Sequence, residues 1–259
     1  MALACPDRFN LLGITGSFFH DEPESLDECV RQASNMLDLA GRSDTCPVAR
    51  GCPPLAWSCR PTEGKAVDLI VETAGNHTPD NPLWIVALGP LSNIASAYLR
   101  EPDIAERVRL VFHSRCRHWD LRFSSYNGIQ DPRATQAVLK SSLPLVLFDA
   151  GTYLTMDMDE TEKRLAPSGP MGKFLHEYRH KKPYYSNIHK GFFDLGDFCW
   201  LYEPELGEWQ EITVPDVGPA LDITFSGKWG NCLRVHQIDN RRARELFYTR
   251  LAAHAETKQ

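Results

Sequence analysis

Residues 175–181 read LHEYRHK, which sets two imidazoles four positions apart around a carboxylate: His176, Glu177 and His180. On a helix, positions i and i+4 share a face. The two histidines could therefore ligate one zinc ion, with Glu177 as a general base for hydrolysis. A catalytic zinc needs a third protein ligand. Pro183 and Ser186 stand where an extended signature of this kind would place glycine and histidine; His189, Glu203 and Glu205 are the nearest spare donors. The pattern is read as accidental, with a zinc peptidase kept as a distant alternative.

A second candidate is the stretch Gly89-Pro90-Leu91-Ser92-Asn93 after the apolar run LWIVAL. Gly89 permits an unusual backbone angle, Pro90 stiffens the turn, and Ser92 or Asn93 can cap the helix that follows. Carbonyls held rigidly at a strand end suit a hard cation such as calcium. Asp194 reads, taken alone, as a helix N-cap. His113, Arg115, Arg117 and His118 fall on a loop and read as solvated, or as contacts to a leaving group or phosphate. The aromatic residues Phe192, Phe193, Phe198 and Trp200 read as core.

These residues need a frame. At 259 residues, 42% hydrophobic and 24% charged, the chain can bury a full α/β core. A net charge of −6 without basic runs argues against nucleic acid, and no apolar stretch is long enough for a membrane span. The start lacks a signal peptide's basic and apolar regions, so a cytoplasmic location is expected. The eight cysteines lack CxxC spacing and read as reduced, structural thiols.

Along the chain, β-rich runs alternate with helical ones. Strands are expected at 9–15, 83–88, 108–112 and 143–148, with helices at 24–41, 63–75, from 92, and at 131–140. Residues 42–62 read as a loop, 160–210 as mainly helical, 211–239 as extended, and 240–255 as a final helix. Apolar strands between helices predict a doubly wound, mostly parallel sheet in a single domain over residues 1–259. Ligands bind such sheets outside the carboxyl ends of the strands, here 15–20, 89–93, 113–127 and 149–155.

Five ordered stretches resemble the inosine–uridine-preferring nucleoside hydrolase family. LGPLSNIA is similar to its GPLTNIA signature, and CPDRFNLLGIT to the segment entering its second strand. YNGIQDP, LPLVLFDAGT, and Phe193-Asp194 with PEL at 204–206 match three further segments. The resemblance implies hydrolysis of the N-glycosidic bond of a ribonucleoside. In the family a calcium ion grips the ribose hydroxyls and holds the attacking water, whose proton an aspartate removes. Carried over, Asp194 matches a calcium-ligating carboxylate that also meets substrate, Ser92 a carbonyl ligand, and Asn127 a ribose-binding asparagine.

The departures bear on catalysis. The family's acidic strand-end cluster, which supplies the base and most calcium ligands, has no counterpart, since Met1 falls within the expected first helix; the domain is read as lacking its first strand, and its catalytic base as unassigned. Ser125 replaces a glutamate and Phe193 a histidine, while the asparagine expected after the second strand falls at His20, the remaining substrate-binding candidate. Asp194 and Ser92 alone leave calcium far from its usual six to eight oxygens. Two expectations follow: a hydrolase once an upstream acidic strand is present, or a degenerate module that binds nucleosides without turnover. Homo-oligomerisation is compatible with either.

Overall fold

The computed structural model describes residues 1–19, 25–116, 119–181, 186 and 189–257. After a short N-terminal turn come β1 (Ile14–Thr15), α1 (Ser25–Leu39), β2 (Val48–Ala49), α2 (Lys65–Gly75), β3 (Leu83–Ala87), α3 (Ser92–Arg100) and β4 (Val108–Phe112). The middle of the chain forms α4 (Tyr126–Gln130), α5 (Pro132–Leu139), β5 (Leu145–Phe148), β6 (Thr155–Met156), α6 (Met158–Arg164), α7 (Gly169–Tyr178), β7 (Lys190–Gly191) and α8 (Leu195–Tyr202). It closes with β8 (Gly207–Thr213), β9 (Asp216–Val217), β10 (Ile223–Thr224), β11 (Asn231–Ile238) and α9 (Asn240–Glu256).

The central sheet runs β3-β4-β5-β11-β8, with the first four strands parallel and β8 antiparallel at the edge. Alternation along the central strands explains the two layers of core. Leu110, Phe112, Leu145 and Leu147 point to one face, packing with Ile70, Ile94 and Val138 from α2, α3 and α5. Val111, Phe148 and Val235 point to the other, against Cys199 and Trp200 of α8 and Ala243 of α9. Both faces are covered by helices, so these strands read as unbroken apolar runs.

Local signals fix the element ends. Asp27 and Glu28 sit in the first turn of α1, where carboxylates complement the helix dipole. Its far end closes through Gly41 at φ +58°, letting the Arg42 amide return to the Leu37 carbonyl. Asp131 caps α5 by accepting from the Ala134 amide at 3.0 Å, ahead of Pro132.

Three expectations are corrected. Of residues 9–15 only Ile14–Thr15 form a strand. The stretch 42–62 is not wholly loop, because Val48–Ala49 pairs in parallel with Ile14–Thr15 as a separate two-stranded sheet. Neither Ser92 nor Asn93 caps α3: Leu91 occupies that position, and both polar side chains turn inward to bind other segments. All eight cysteines are free thiols. Among the described residues no helix is long and apolar enough to cross a membrane.

Candidate functional site

The carboxyl end of β4 brings a buried histidine against two carboxylates. His113 follows the last residue of β4, with its side chain only 5% exposed and its ring stacked on Phe148. Its Nδ1 lies 2.7 Å from Asp197 Oδ2, and its Nε2 lies 3.5 Å from Asp194 Oδ1. The two carboxylates are three residues apart at the start of α8, a spacing that presents both to one neighbour. Asp194 occupies the N-cap position of α8 but makes no side-chain capping bond, so its carboxylate can face the imidazole.

The two carboxylates differ in access. Asp197 is fully buried, while the Asp194 side chain is 54% exposed. Burial drives the Asp197 carboxyl up to about 6, against the pull of His113. The desolvation imposed by its surroundings also raises Asp194, opposed by His113, Lys190 and Arg115; its open side keeps water available, which limits the rise. For His113, burial disfavours the charged ring, but the charge and hydrogen bond of Asp197 and the charge of Asp194 outweigh it, so its pKa is raised. Asp197 Oδ1 is buried without a hydrogen-bond partner.

Around this trio the loops are tied to strand ends. Asn127 donates through Nδ2 to the carbonyls of Leu88 (3.1 Å) and His113 (2.9 Å), clamping the ends of β3 and β4 together. Arg115 adopts φ +42°, an uncommon angle for a residue with a side chain, and its guanidinium lies 4.1 Å from the centroid of the Phe193 ring. Asp149, after β5, accepts from Ser114 Oγ, the Cys116 amide, Trp119 Nε1 and Arg234 Nε. It is a structural anchor, with both oxygens committed.

The Ser92 turn is equally committed. Ser92 Oγ donates to Asp131 Oδ2 at 2.7 Å, and the same oxygen accepts from the Leu55 amide. Asn93 donates to the Gly16 carbonyl and accepts from the Cys52 amide. Ser125, where the resemblance leads one to expect a glutamate, is buried and caps α4 through the Gly128 amide. Asn127 ties the Leu88 carbonyl, just before the Gly89–Asn93 turn, to the His113 carbonyl, and the His113 ring in turn reaches Asp194. The substrate-binding candidate His20 lies outside the described residues.

The resemblance implies calcium, and the described residues do not assemble a site for it. Among them no group of three or more His, Cys, Asp or Glu side chains could hold a metal ion. The charges nearest Asp194 are His113, Lys190 and Arg115, and its companion Asp197 is engaged with the imidazole. At the zinc-like motif, α7 ends at Tyr178, so His180 lies beyond the helix. The His176 and His180 rings meet edge to face at 5.2 Å, and His176 Nδ1 contacts Thr161 Oγ1 at 3.1 Å.

Sequence reasoning singled out Asp194 and Asn127, gave His113 no role beyond a loop contact, and missed Asp197 altogether. A signal for Asp197 was present: it is the lone carboxylate in the apolar helix LGDFCWLY, three residues after Asp194. A buried charge of that kind needs a partner, and His113 at the end of β4 supplies it.

Comparison with known proteins agrees with this architecture. The sequence profile of the inosine-uridine preferring nucleoside hydrolases matches residues 1–218. An uncharacterized protein of Schizosaccharomyces pombe is 29% identical over 251 residues, covering 83% of this chain and 78% of its own length. The pyrimidine-specific ribonucleoside hydrolase RihA of Shewanella sp. (strain MR-7) is 27% identical over 249 residues, covering 83% of this chain and 76% of its own. The purine-preferring ribonucleoside hydrolase from Gardnerella vaginalis superposes with a TM-score of 0.78 at 21% identity, over 99% of this chain and 94% of that one. The plant nucleoside hydrolase PpNRh1 gives 0.77 at 18% identity, over 97% and 93%. With its fold and most of its length accounted for in this way, the chain belongs to the inosine-uridine preferring nucleoside hydrolase family.

Proposed function

We propose that this protein binds a ribonucleoside at the carboxyl ends of β3, β4 and β5 and hydrolyses its N-glycosidic bond. The observation that carries this reading is a water-accessible carboxylate, Asp194, backed by a buried imidazole that a second carboxylate holds in place. Asp194 is the group of the trio that substrate can reach. It can accept hydrogen bonds from ribose hydroxyls, and its negative charge favours the oxocarbenium-like sugar formed as the C1′–N bond lengthens. Water adds to C1′ and gives its proton to Asp194, while the departing base takes one from solvent. The partly raised pKa of Asp194 suits that acceptance. His113 acts through Asp194: fixed by Asp197, it orients the carboxylate and shares its proton. No step is assigned to a metal ion, because the described donors do not form a site for one.

The second reading is nucleoside binding without turnover. It is favoured by Asn127, whose amide donors are spent on the Leu88 and His113 carbonyls rather than left open to a sugar. One experiment separates the two. The protein is incubated with inosine and with uridine, and free ribose is measured alongside equilibrium binding, for the wild type and Asp194→Asn. Ribose release lost in the variant supports the hydrolase. Binding without release supports the second reading, and neither binding nor release removes both.

A further inference from the structure

Hydrolysis of an N-glycosidic bond separates charge. The sugar turns cationic as the C1′–N bond lengthens, and the base carries off the bonding electron pair and turns anionic. Asp194 answers the first charge, and the side chains beside it bear on the second. Phe193, the residue before Asp194, holds two cations against its ring. The Arg115 guanidinium lies 4.1 Å from the ring centroid and the Lys190 ammonium 5.0 Å. Balancing Asp194 does not require them, because His113 Nε2 already faces that carboxylate at 3.5 Å. Two further cations nonetheless meet at this point, in a chain whose net charge is −6.

Three loops fix the arrangement. The Ser114 and Arg115 amides both donate to the Phe148 carbonyl, at 3.1 and 3.2 Å, and the Cys116 amide donates to Asp149 Oδ1 at 3.0 Å. These bonds hold Arg115 at φ +42°, a strained angle that persists only where the surroundings over-determine it. Lys190 pairs with Met156 across β7 and β6, and the Phe192 amide donates to the Leu154 carbonyl at 2.8 Å. The Phe193 ring occupies the space that a side chain at Gly191 would need. Gly151, at φ +84°, lets the loop after β5 close on the Phe193 carbonyl, where a Cβ would fall 2.6 Å from the oxygen. The cations are thus placed by strand ends and a strand pair before any ligand arrives.

We propose that Arg115 and Lys190, held on the Phe193 ring, take up the negative charge of the departing base. The inference rests on the hydrolase reading of this site. The C1′–N electron pair passes to the base nitrogen, the water oxygen bonds to C1′, and the water proton goes to Asp194. The base leaves as an anion against the two cations, and solvent protonates it afterwards. Arginine keeps its proton throughout, so Arg115 supplies charge and hydrogen bonds rather than acid catalysis. A guanidinium resting on an aromatic ring also stacks well on a planar heteroaromatic base. Donors fixed in advance where charge develops are worth more to the transition state than to the ground state.

The test uses the full 259-residue chain and two ribosides. Inosine has a base that leaves as a poor anion, whereas the nitrophenolate of para-nitrophenyl riboside is stable without help. Arg115→Met should lower kcat for ribose release from inosine about 100-fold, and Lys190→Met at least about tenfold. On the nitrophenyl riboside each loss should be smaller by about tenfold or more. The ratio between the two substrates does not depend on how much of a variant is folded, so a folding defect cannot imitate the result. Equal losses on both substrates, or no loss on inosine, would overturn the proposal and leave the hydrolase reading standing. Ribose released from neither substrate by the wild type would overturn that reading, and this inference with it.

Discussion

Replacing Asp197 isolates the coupling between the buried carboxylate and His113. The Asp197 carboxylate is fully buried and accepts from the imidazole at 2.7 Å. In Asp197→Ala the His113 Nδ1–H loses its acceptor in a sealed site, and the side-chain space between α8 and β4 is left empty. Breaking a buried charged pair in this way costs about 3–5 kcal/mol, a large part of a typical total of about 5–15. Asp197→Asn keeps an acceptor of nearly the same shape without the charge, and should cost about 1–2 kcal/mol. The pH dependence distinguishes charge from shape. A carboxyl raised from 3.8 to about 6 in the folded state makes folding less favourable as pH rises through that interval, by about 3 kcal/mol in all. His113 acts in the same direction: its raised pKa contributes stability that is complete below the ordinary 6.5 and is lost as pH rises through the higher folded value. Urea unfolding at intervals from pH 4 to 8 should therefore show the wild type losing stability toward neutrality, with the slope between pH 4 and 6 flattened in Asp197→Asn. An unchanged slope in that variant, or a cost below about 1 kcal/mol for Asp197→Ala, would refute the coupling argument.

The remaining predictions concern the ligand-free scaffold. Asp131→Ala should lower the melting temperature by about 10 °C by scanning calorimetry. It removes the cap of α5 and orphans the Leu55 amide and the Ser92 hydroxyl, a combined loss of about 3–5 kcal/mol. Millimolar calcium should leave the melting temperature unchanged. An ion bound at a hundredfold its Kd would add about 2.7 kcal/mol, so a rise of several degrees would show that a cation site forms after all. His176→Ala should leave the zinc content measured by atomic absorption unaltered and cost about 1 kcal/mol or less, since His176 offers a hydrogen bond to Thr161 and an edge-to-face contact with His180.

The sequence alone located the elements that carry the site. Residues 108–112 were legible as a strand and form β4 without a shift of boundary, because an apolar run between turn signals is a local property. The family resemblance was legible for the same reason, in short ordered stretches whose spacing survives divergence. The two-residue strands β1 and β2 were harder to see. Residues 9–15 were expected as one strand, but only Ile14–Thr15 pair, and their partner lay inside a stretch rich in glycine, proline and cysteine.

What the tertiary structure decided was which polar groups meet. His113 and Asp197 are 84 positions apart, and Asp149 and Arg234 are 85 apart. Their pairing depends on the order β4-β5-β11 and on the rotation of α8 against the sheet. Periodicity reports which face of an element is apolar, but not which neighbour that face will find. It could place Asp194 at the start of a helix, yet not turn its carboxylate toward an imidazole.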